Sequence, residues 1–385
     1  TFSVMKDTLL ASIPFFLFMG FLLEQSGLME RMFTGIQQLL AGLRGSLYLA
    51  VLITATIFAA ATGIVGSSVT LLGVMAGPAM IKSGYDPKMS AGVITAGGTL
   101  GILIPPSVML IVMGPVVGVP ATDLFAAAII PGLLLSAIFT VWCLVRCWLN
   151  PSLGPALPPE LRATSMGAVL RDLAIGVVPV IVVILSTLGV ILAGIATPTD
   201  AGAVGCAAVF LLTLLSGRMT LAKIRKSAYQ TLEVSSMILL LVVASNLFGS
   251  VFSRLGSAEF LANLLTSLSL PPTMMLIVIL ALIFVLGWPL EWVPIVLIVV
   301  PIVLPIVQAA GIDLIWFCTL VAMTLQTAWL SPPVALSAYF LKGVVPQWHL
   351  KDIYAGMVQF MVLQLLGVGL LLMFPKLATW LASVN

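Results

Sequence analysis

The segment Gly97–Met109 reads GGTLGILIPPSVM and lies inside a long apolar stretch. It carries three glycines and an adjacent proline pair where a continuous membrane helix would have neither. A helix crossing a bilayer needs about 20 apolar residues, with each backbone amide and carbonyl paired internally. A break at that depth strands polar backbone in hydrocarbon, at several kcal/mol per group. Such backbone is tolerated only where protein buries it or where it lines a cavity. Lipid is the solvent this chain requires: only 8% of its residues are charged and 61% are hydrophobic, whereas a soluble domain carries about 25% charged residues. Apolar runs of helical length, rather than short alternating segments, predict helices and not a barrel.

The remaining composition excludes more than it assigns. The net charge is +3, with no basic block that would suit nucleic acid. Cys143, Cys147, Cys206 and Cys318 all fall in apolar runs and read as buried small side chains, with no zinc or haem spacing among them. The single histidine, His349, sits at a loop edge beside Trp348 and reads as interfacial. Neither transition-metal site nor cofactor is expected. Thr1 enters an apolar run without a basic leader, which reads as no signal peptide and as an abrupt start with helices missing upstream.

Along the chain, residues 1–45 predict a first scaffold helix (8–23) and an amphipathic interfacial arm (28–45). Residues 46–122 hold two short apolar arms around TGIVGS, read as a re-entrant hairpin, and a broken segment at 86–118. Residues 123–252 hold a closing helix to 149, a polar loop over 150–172, and scaffold spans at 173–194, 201–217 and 229–252. A second interfacial arm follows at 253–272. Residues 273–346 repeat the short-armed hairpin and the broken segment, and 347–385 close the chain with a final helix.

That order recurs in register. Pro78 and Pro305, Gly84 and Gly311, Asp86 and Asp313, Pro105 and Pro332, and Pro106 and Pro333 are each 227 residues apart. The basic loops set the orientation by the positive-inside rule. Arg146, Arg162 and Arg171 share one loop, and Arg218, Lys223, Arg225 and Lys226 lie two spans later on the same side. The first hairpin then opens toward Arg44 and Lys82, and the second opens to the opposite side, with Lys6 the one exception. The expected fold is an all-α polytopic membrane protein of two inverted repeats, each with an interfacial helix, a re-entrant hairpin and a broken helix, as in secondary transporters.

Four coordinated breaks imply ligands. Unwound carbonyls suit a small cation, and half-helix N-termini offer amides to an anion. The first tip, Thr62–Ser68, is expected to meet the break at Gly97–Ser107, with Pro105 and Pro106 ending one half-helix and starting the next. The second tip, Gly287–Glu291, is expected to meet the break at Thr324–Pro333. One cation site is expected at each meeting point, with Gly63 and Gly66 at the first and Pro289 at the second, and substrate between them. Glu291 is the most informative acid, because an ionisable group near a membrane-embedded tip is a functional candidate. Asp123 and Asp200 read as helix caps, and Glu24, Glu30 and Arg31 as parts of the interfacial helix. No buried arginine is evident for a carboxylate, so Ser67, Ser107 and Ser331 are the candidate substrate contacts.

The tip GSSVT, the run AGGTLGILIPPSVMLIVMG, ATPTDAGAVG, PIVLPIVQAAGID and LQTAWLSPPVALSAYFLKGVVP together span nearly the whole chain. In these pieces the sequence resembles the large membrane subunit of TRAP transporters, the tripartite ATP-independent periplasmic family, closest to its mannitol/chloroaromatic-compound branch. The resemblance implies an elevator-type transporter of the bacterial inner membrane that imports a small organic acid with sodium. It implies two partners, a periplasmic substrate-binding protein and a small four-helix membrane subunit. By likeness, Ser67, Ser68, Gly98, Thr99 and Gly101 fall at a first sodium site, and Glu291, Gln326 and Thr327 near a second. The chain departs from the family at Leu290-Glu291, where Met-Asp is usual, and in the longer first tip TGIVGSS.

Competing readings are a stand-alone ion or organic-anion exchanger or exporter of similar architecture, kinked helices without any ligand, a channel, and a membrane-embedded enzyme. The enzyme reading lacks paired intramembrane acids or a serine with a base.

Overall fold

Two aspartates fix where the broken helices begin. Asp86 caps the helix Pro87–Thr99, its carboxylate accepting from Met89 N at 2.7 Å. Asp313 caps Leu314–Gln326 in the same way, from Trp316 N at 2.8 Å. Glycines at positive φ, Gly84 (70°) and Gly311 (67°), turn the chain into each cap. Each capped helix then tightens into one 3₁₀ turn, Leu100–Ile102 or Thr327–Trp329, and stops. The second halves, Val108–Val117 and Leu336–Val344, follow after a stretch of irregular backbone. Both Pro–Pro bonds, Pro105-Pro106 and Pro332-Pro333, lie inside these breaks and are cis. The expectation that the prolines abut both half-helices is therefore corrected: the first half ends at Thr99–Ile102. Residues preceding a proline are driven out of the helical region, which widens the gap.

The computed structural model describes residues 8–157, 160, 162, 163, 165–217, 219–257, 260 and 270–383. Among them every regular element is helical, and eight helices are long and apolar enough to cross a membrane. The first hairpin has arms Ser46–Thr62 and Val65–Lys82. The second has arms Pro272–Leu286 and Trp292–Ala309, the latter with a π-helical turn at Ile295–Val299. Hairpin arms and broken-helix halves thus start and stop at equivalent positions in the two repeats. Ser12–Gln25 is followed by the amphipathic helix Leu28–Leu39, and its equivalent is the C-terminal part of the long helix Leu221–Arg254. Most of the second interfacial arm foreseen at 253–272 lies outside the described residues. Ala121–Leu149 closes the first repeat as Leu350–Met373 closes the second, and Met166–Leu192 and Pro198–Leu215 follow it before the second repeat. Each hairpin returns to its own side, so the broken helix 87–117 and the three spans that follow it make four crossings, which run Leu221–Arg254 opposite to Ser12–Gln25 and invert the second repeat.

Other boundaries shift from expectation. The polar loop foreseen at 150–172 ends early, because Ser165 caps a helix starting at Met166. The span foreseen at 229–252 starts earlier, at Leu221. The final helix, Leu350–Met373, is followed by a short one, Lys376–Ala382. Thr197, and not Asp200, is the N-cap of Pro198–Leu215; Asp200 closes the box by accepting from the Thr197 hydroxyl at 2.6 Å. Asp123 likewise sits in a first turn and not at the cap.

The repeats interlock. Pro87–Thr99 of the first packs on Leu350–Met373 of the second, and Leu314–Gln326 packs on Ala121–Leu149. At the first crossing, backbones touch: a Cβ on Gly92 would lie 2.7 Å from the Gly356 carbonyl oxygen. Small residues permit such close approach where no hydrophobic force between helices exists.

Candidate functional site

Both hairpin tips rest on their own breaks. A Cβ on Gly63 would lie 2.5 Å from the Pro106 carbonyl oxygen, and one on Gly101 would lie 3.4 Å from the carbonyl carbon of Gly63. A Cβ on Gly98 would overlap the Val69 side chain and lie 2.9 Å from Val69 N. The first turn of Val65–Lys82 is thus seated on the end of Pro87–Thr99. In the second repeat a Cβ on Gly287 would lie 3.2 Å from Ala328 Cβ. At Gly63 and Gly98 glycine is needed because backbone meets backbone.

The two meeting points share a cavity of about 590 Å³. Its wall takes Gly63–Ser67 and Glu291–Val293 from the tips, Ile102, Ser107–Met109 and Trp329 from the breaks, and Phe340 beyond the second break. The opposite wall comes from Ser12–Gln25, through Leu17, Phe21 and Glu24, and from Leu221–Arg254, through Lys226, Gln230, Glu233 and neighbouring apolar residues.

Val65–Lys82, Val108–Val117 and the arm starting at Trp292 begin without a side-chain cap, at Ile64, Ser107 and Glu291. Leu336–Val344 is also uncapped. Away from the cavity, Asp86, Ser165, Thr197 and Asp313 cap their helices, whereas Ser12–Gln25, Leu28–Leu39, Ser46–Thr62, Ala121–Leu149, Pro272–Leu286 and Leu350–Met373 start without a side-chain cap as well. The first three amides of an uncapped helix lack internal partners and carry the positive end of the helix dipole. Three such ends border one cavity and offer an anion its amides. The half-helices ending at Thr62, Ile102, Leu286 and Trp329 bring carbonyl ends into the same region, which suit a cation.

The expected site residues separate by position. Gly63, Gly66, Ser67, Ser107 and Glu291 reach the cavity wall. Gly98 and Gly101 lie behind the first tip, and Ser68 is turned into the helix, donating to Ile64 O at 2.6 Å. Thr327 and Ser331 are buried behind the second break; Ser331 donates to Thr327 O at 2.7 Å and so does not meet the cavity. Pro289 is exposed beyond the tip, away from the wall.

Thr99 and Gln326, assigned by likeness to separate sites, touch each other. Gln326 Nε2 donates to Thr99 Oγ1 at 3.1 Å, and the pair is separated by 227 residues, the repeat offset itself. Gln364 Nε2 approaches the same oxygen at 3.5 Å. Thr99 donates its own proton to Ala96 O at 2.7 Å, so it can only accept from the amides. That fixes both amide orientations and leaves Gln326 Oε1 and Gln364 Oε1 buried without protein partners.

Sequence reasoning missed the scaffold wall. Glu24, assigned to the interfacial helix, instead faces the Ser67 hydroxyl and the Lys226 ammonium across the cavity, with Oε2 buried and unpartnered. Its position near the end of Ser12–Gln25 aims it at the first tip. Lys226, Gln230 and Glu233 follow one another at helical spacing, a polar stripe that was visible in the sequence as a face.

The chain matches the DctM component of tripartite ATP-independent periplasmic transporters over residues 1–377. It belongs to that family. It is 30% identical over 350 residues, 86% of this chain and 78% of the relative, to the C4-dicarboxylate TRAP transporter large permease protein DctM of Rhodobacter capsulatus. It is 27% identical to the sialic acid TRAP transporter large permease protein SiaM of Vibrio cholerae, over 96% of this chain and 84% of that one. Among solved structures it is similar in fold to the Alcanivorax borkumensis YdaH transporter, with a TM-score of 0.66, 17% identity, and coverage of 94% of this chain and 84% of that one. The DctM-family chain is a multi-pass transporter component of the bacterial inner membrane, not an enzyme.

Proposed function

We propose that this DctM-family chain is the translocating subunit of a sodium-coupled importer of a small organic acid. A periplasmic binding protein delivers the substrate, and a small four-helix membrane subunit braces the scaffold. The observation that carries this reading is the shared cavity: two tips, two breaks and three uncapped helix starts converge there. A carboxylate is held by amide ends with Lys226 close by, and Ser67 and Ser107 line the same wall with their hydroxyl protons directed to Glu24 and Ile102 O. Sodium ions sit where carbonyl ends meet the tips, one beside Gly63–Gly101 and one beside Glu291. The relatives' printed substrates, C4-dicarboxylates, sialic acid and 2,3-diketo-L-gulonate, support an acid as cargo.

Transport proceeds by an elevator-type movement of the hairpins and broken helices against Ser12–Gln25 and Leu221–Arg254. The cavity between these two bodies is emptied to either side as they slide.

The test is thermal unfolding in detergent with sodium or potassium chloride at matched ionic strength, since a ligand of the folded state raises Tm by mass action. A sodium-specific rise, reduced in Glu291→Gln, is the expected result. Equal Tm values in the two salts, in protein with its small subunit restored, overturn sodium coupling. Uptake by proteoliposomes that does not require the binding protein favours a stand-alone exchanger instead.

A further inference from the structure

The cavity wall is more acidic than a dicarboxylate requires. Its charged side chains are three carboxylates, Glu24, Glu233 and Glu291, and one ammonium, Lys226. Lys226 interacts with Glu24, whose Oε2 is already buried without a partner. A dianion entering this space at reduced dielectric faces net like charge, which costs far more than in water. A sodium ion at each tip brings the wall to neutrality and no further. A dicarboxylate would then leave two negative charges uncompensated, whereas a zwitterion leaves none.

The same wall is aromatic. Trp292 follows Glu291 at the second tip, and Trp329 ends the half-helix that leads into the second break. The Trp329 ring stacks on Phe340 with centroids 6.3 Å apart and planes at 24°. Phe340 lies over the first tip, where a Cβ on Gly66 would be 3.0 Å from its ring. Phe340 is 40% exposed, so its ring faces open space and not a packed core. Aromatic faces interleaved with carboxylates recognise organic cations, and quaternary ammonium groups above all.

We infer that the substrate of this site is a zwitterion, a carboxylate carrying an alkylammonium or related organic cation. Its carboxylate meets the uncapped amide ends and Lys226. Its cationic group lies against Trp292, Trp329 and Phe340 with Glu233 as counter-charge. The cavity volume accommodates such a molecule, being within the usual range of about 300–1,000 Å³ for small-molecule sites. This inference rests on the cavity being the substrate site of the proposed transporter.

Three probes separate the possibilities: 4-trimethylammoniobutanoate; 5,5-dimethylhexanoate, its isostere with a neutral tert-butyl end; and succinate. Each is added to the purified full chain in sodium chloride, and apparent affinity is read from the concentration dependence of Tm. The expected result is that the betaine binds about tenfold or more tightly than its isostere, the effect of one desolvated cation–π contact, and more tightly than succinate. Trp329→Leu and Glu233→Gln are expected to erase that difference. Stabilisation by succinate in preference to the betaine overturns the zwitterion and leaves the organic-acid transporter standing. Equal effects of the betaine and its isostere also overturn it. Stabilisation by none of the three, with no sodium effect, overturns both the substrate class and the transporter reading of the cavity.

Discussion

Gly98→Ala should separate tip from break with the smallest possible change. The added methyl would overlap Val69 Cγ2 and lie 2.9 Å from Val69 N and 3.0 Å from Val69 Cα. Val69 is fully buried and β-branched, so its side chain cannot rotate out of the way. The start of Val65–Lys82 must therefore retreat by about half an ångström or more to regain an ordinary van der Waals distance. Overpacking of this kind costs about 1–3 kcal/mol, which lowers Tm by several degrees. The larger consequence is on ligand binding. Sodium at a hundred times its dissociation constant stabilises by about 2.7 kcal/mol, and that increment depends on Gly63–Ser67 staying seated on Gly101. Gly98→Ala is expected to lose it, so the Tm deficit should be greater in sodium than in potassium. Gly369→Ala is the control, because nothing lies within 4 Å of its Cβ. Differential scanning fluorimetry of both variants in both salts decides. If Gly98→Ala keeps wild-type Tm and the full sodium increment, the tip is not held as the geometry requires, and the site reasoning fails.

Removing either cap, by Asp86→Ala or Asp313→Ala, should cost about 1 kcal/mol in thermal or denaturant unfolding, and similar losses at the two sites would confirm their equivalence. Thr99→Val leaves two buried amide NH₂ groups without their acceptor and should cost about 1–3 kcal/mol per group. Thr95→Val removes only a hydroxyl already bonded to Ala91 O at 2.7 Å, and should cost clearly less in the same melts. Cysteines introduced as Lys82→Cys and Ala309→Cys occupy equivalent helix ends and should react with an impermeant maleimide from opposite faces of the membrane, in a Cys206→Ala background; labelling from one face would refute the inversion. Gly356→Val forces a side chain onto the Lys88 carbonyl at the tightest helix crossing, and should abolish monodisperse elution from a sizing column.

Breaks, tips and repeats were legible because glycine and proline mark them directly. Pro105-Pro106 and Pro332-Pro333 cannot continue a helix, and the aspartates at 86 and 313 announce where each broken helix starts. Hairpins could be bounded because glycine or proline splits each pair of apolar runs at its tip, even though the arms Val65–Lys82 and Trp292–Ala309 are long enough to cross. The scaffold wall was not legible. Glu24 and Lys226 lie about two hundred residues apart in sequence, and only the rotation of two long helices, set by packing, turns both into one cavity. Gln364 offered a signal, as a lone amide within the apolar run VLQLLGVG, and intramembrane polar groups of this kind warrant a search for a partner. Its partner, Thr99, came from the other repeat, which no local pattern reveals. Ser331 illustrates the opposite error: a hydroxyl beside a break reads as a ligand contact, yet here it is spent on Thr327 O.

The hydrogen bond between Thr99 and Gln326 carries an evolutionary consequence. On a two-fold axis a residue meets its own counterpart. If an ancestral half was copied and joined to itself, this position began with two identical side chains facing one another. Two threonines there would be too short to bond across the gap that a glutamine now fills, and two glutamines would crowd it. Divergence at such a position is a packing requirement, independent of substrate.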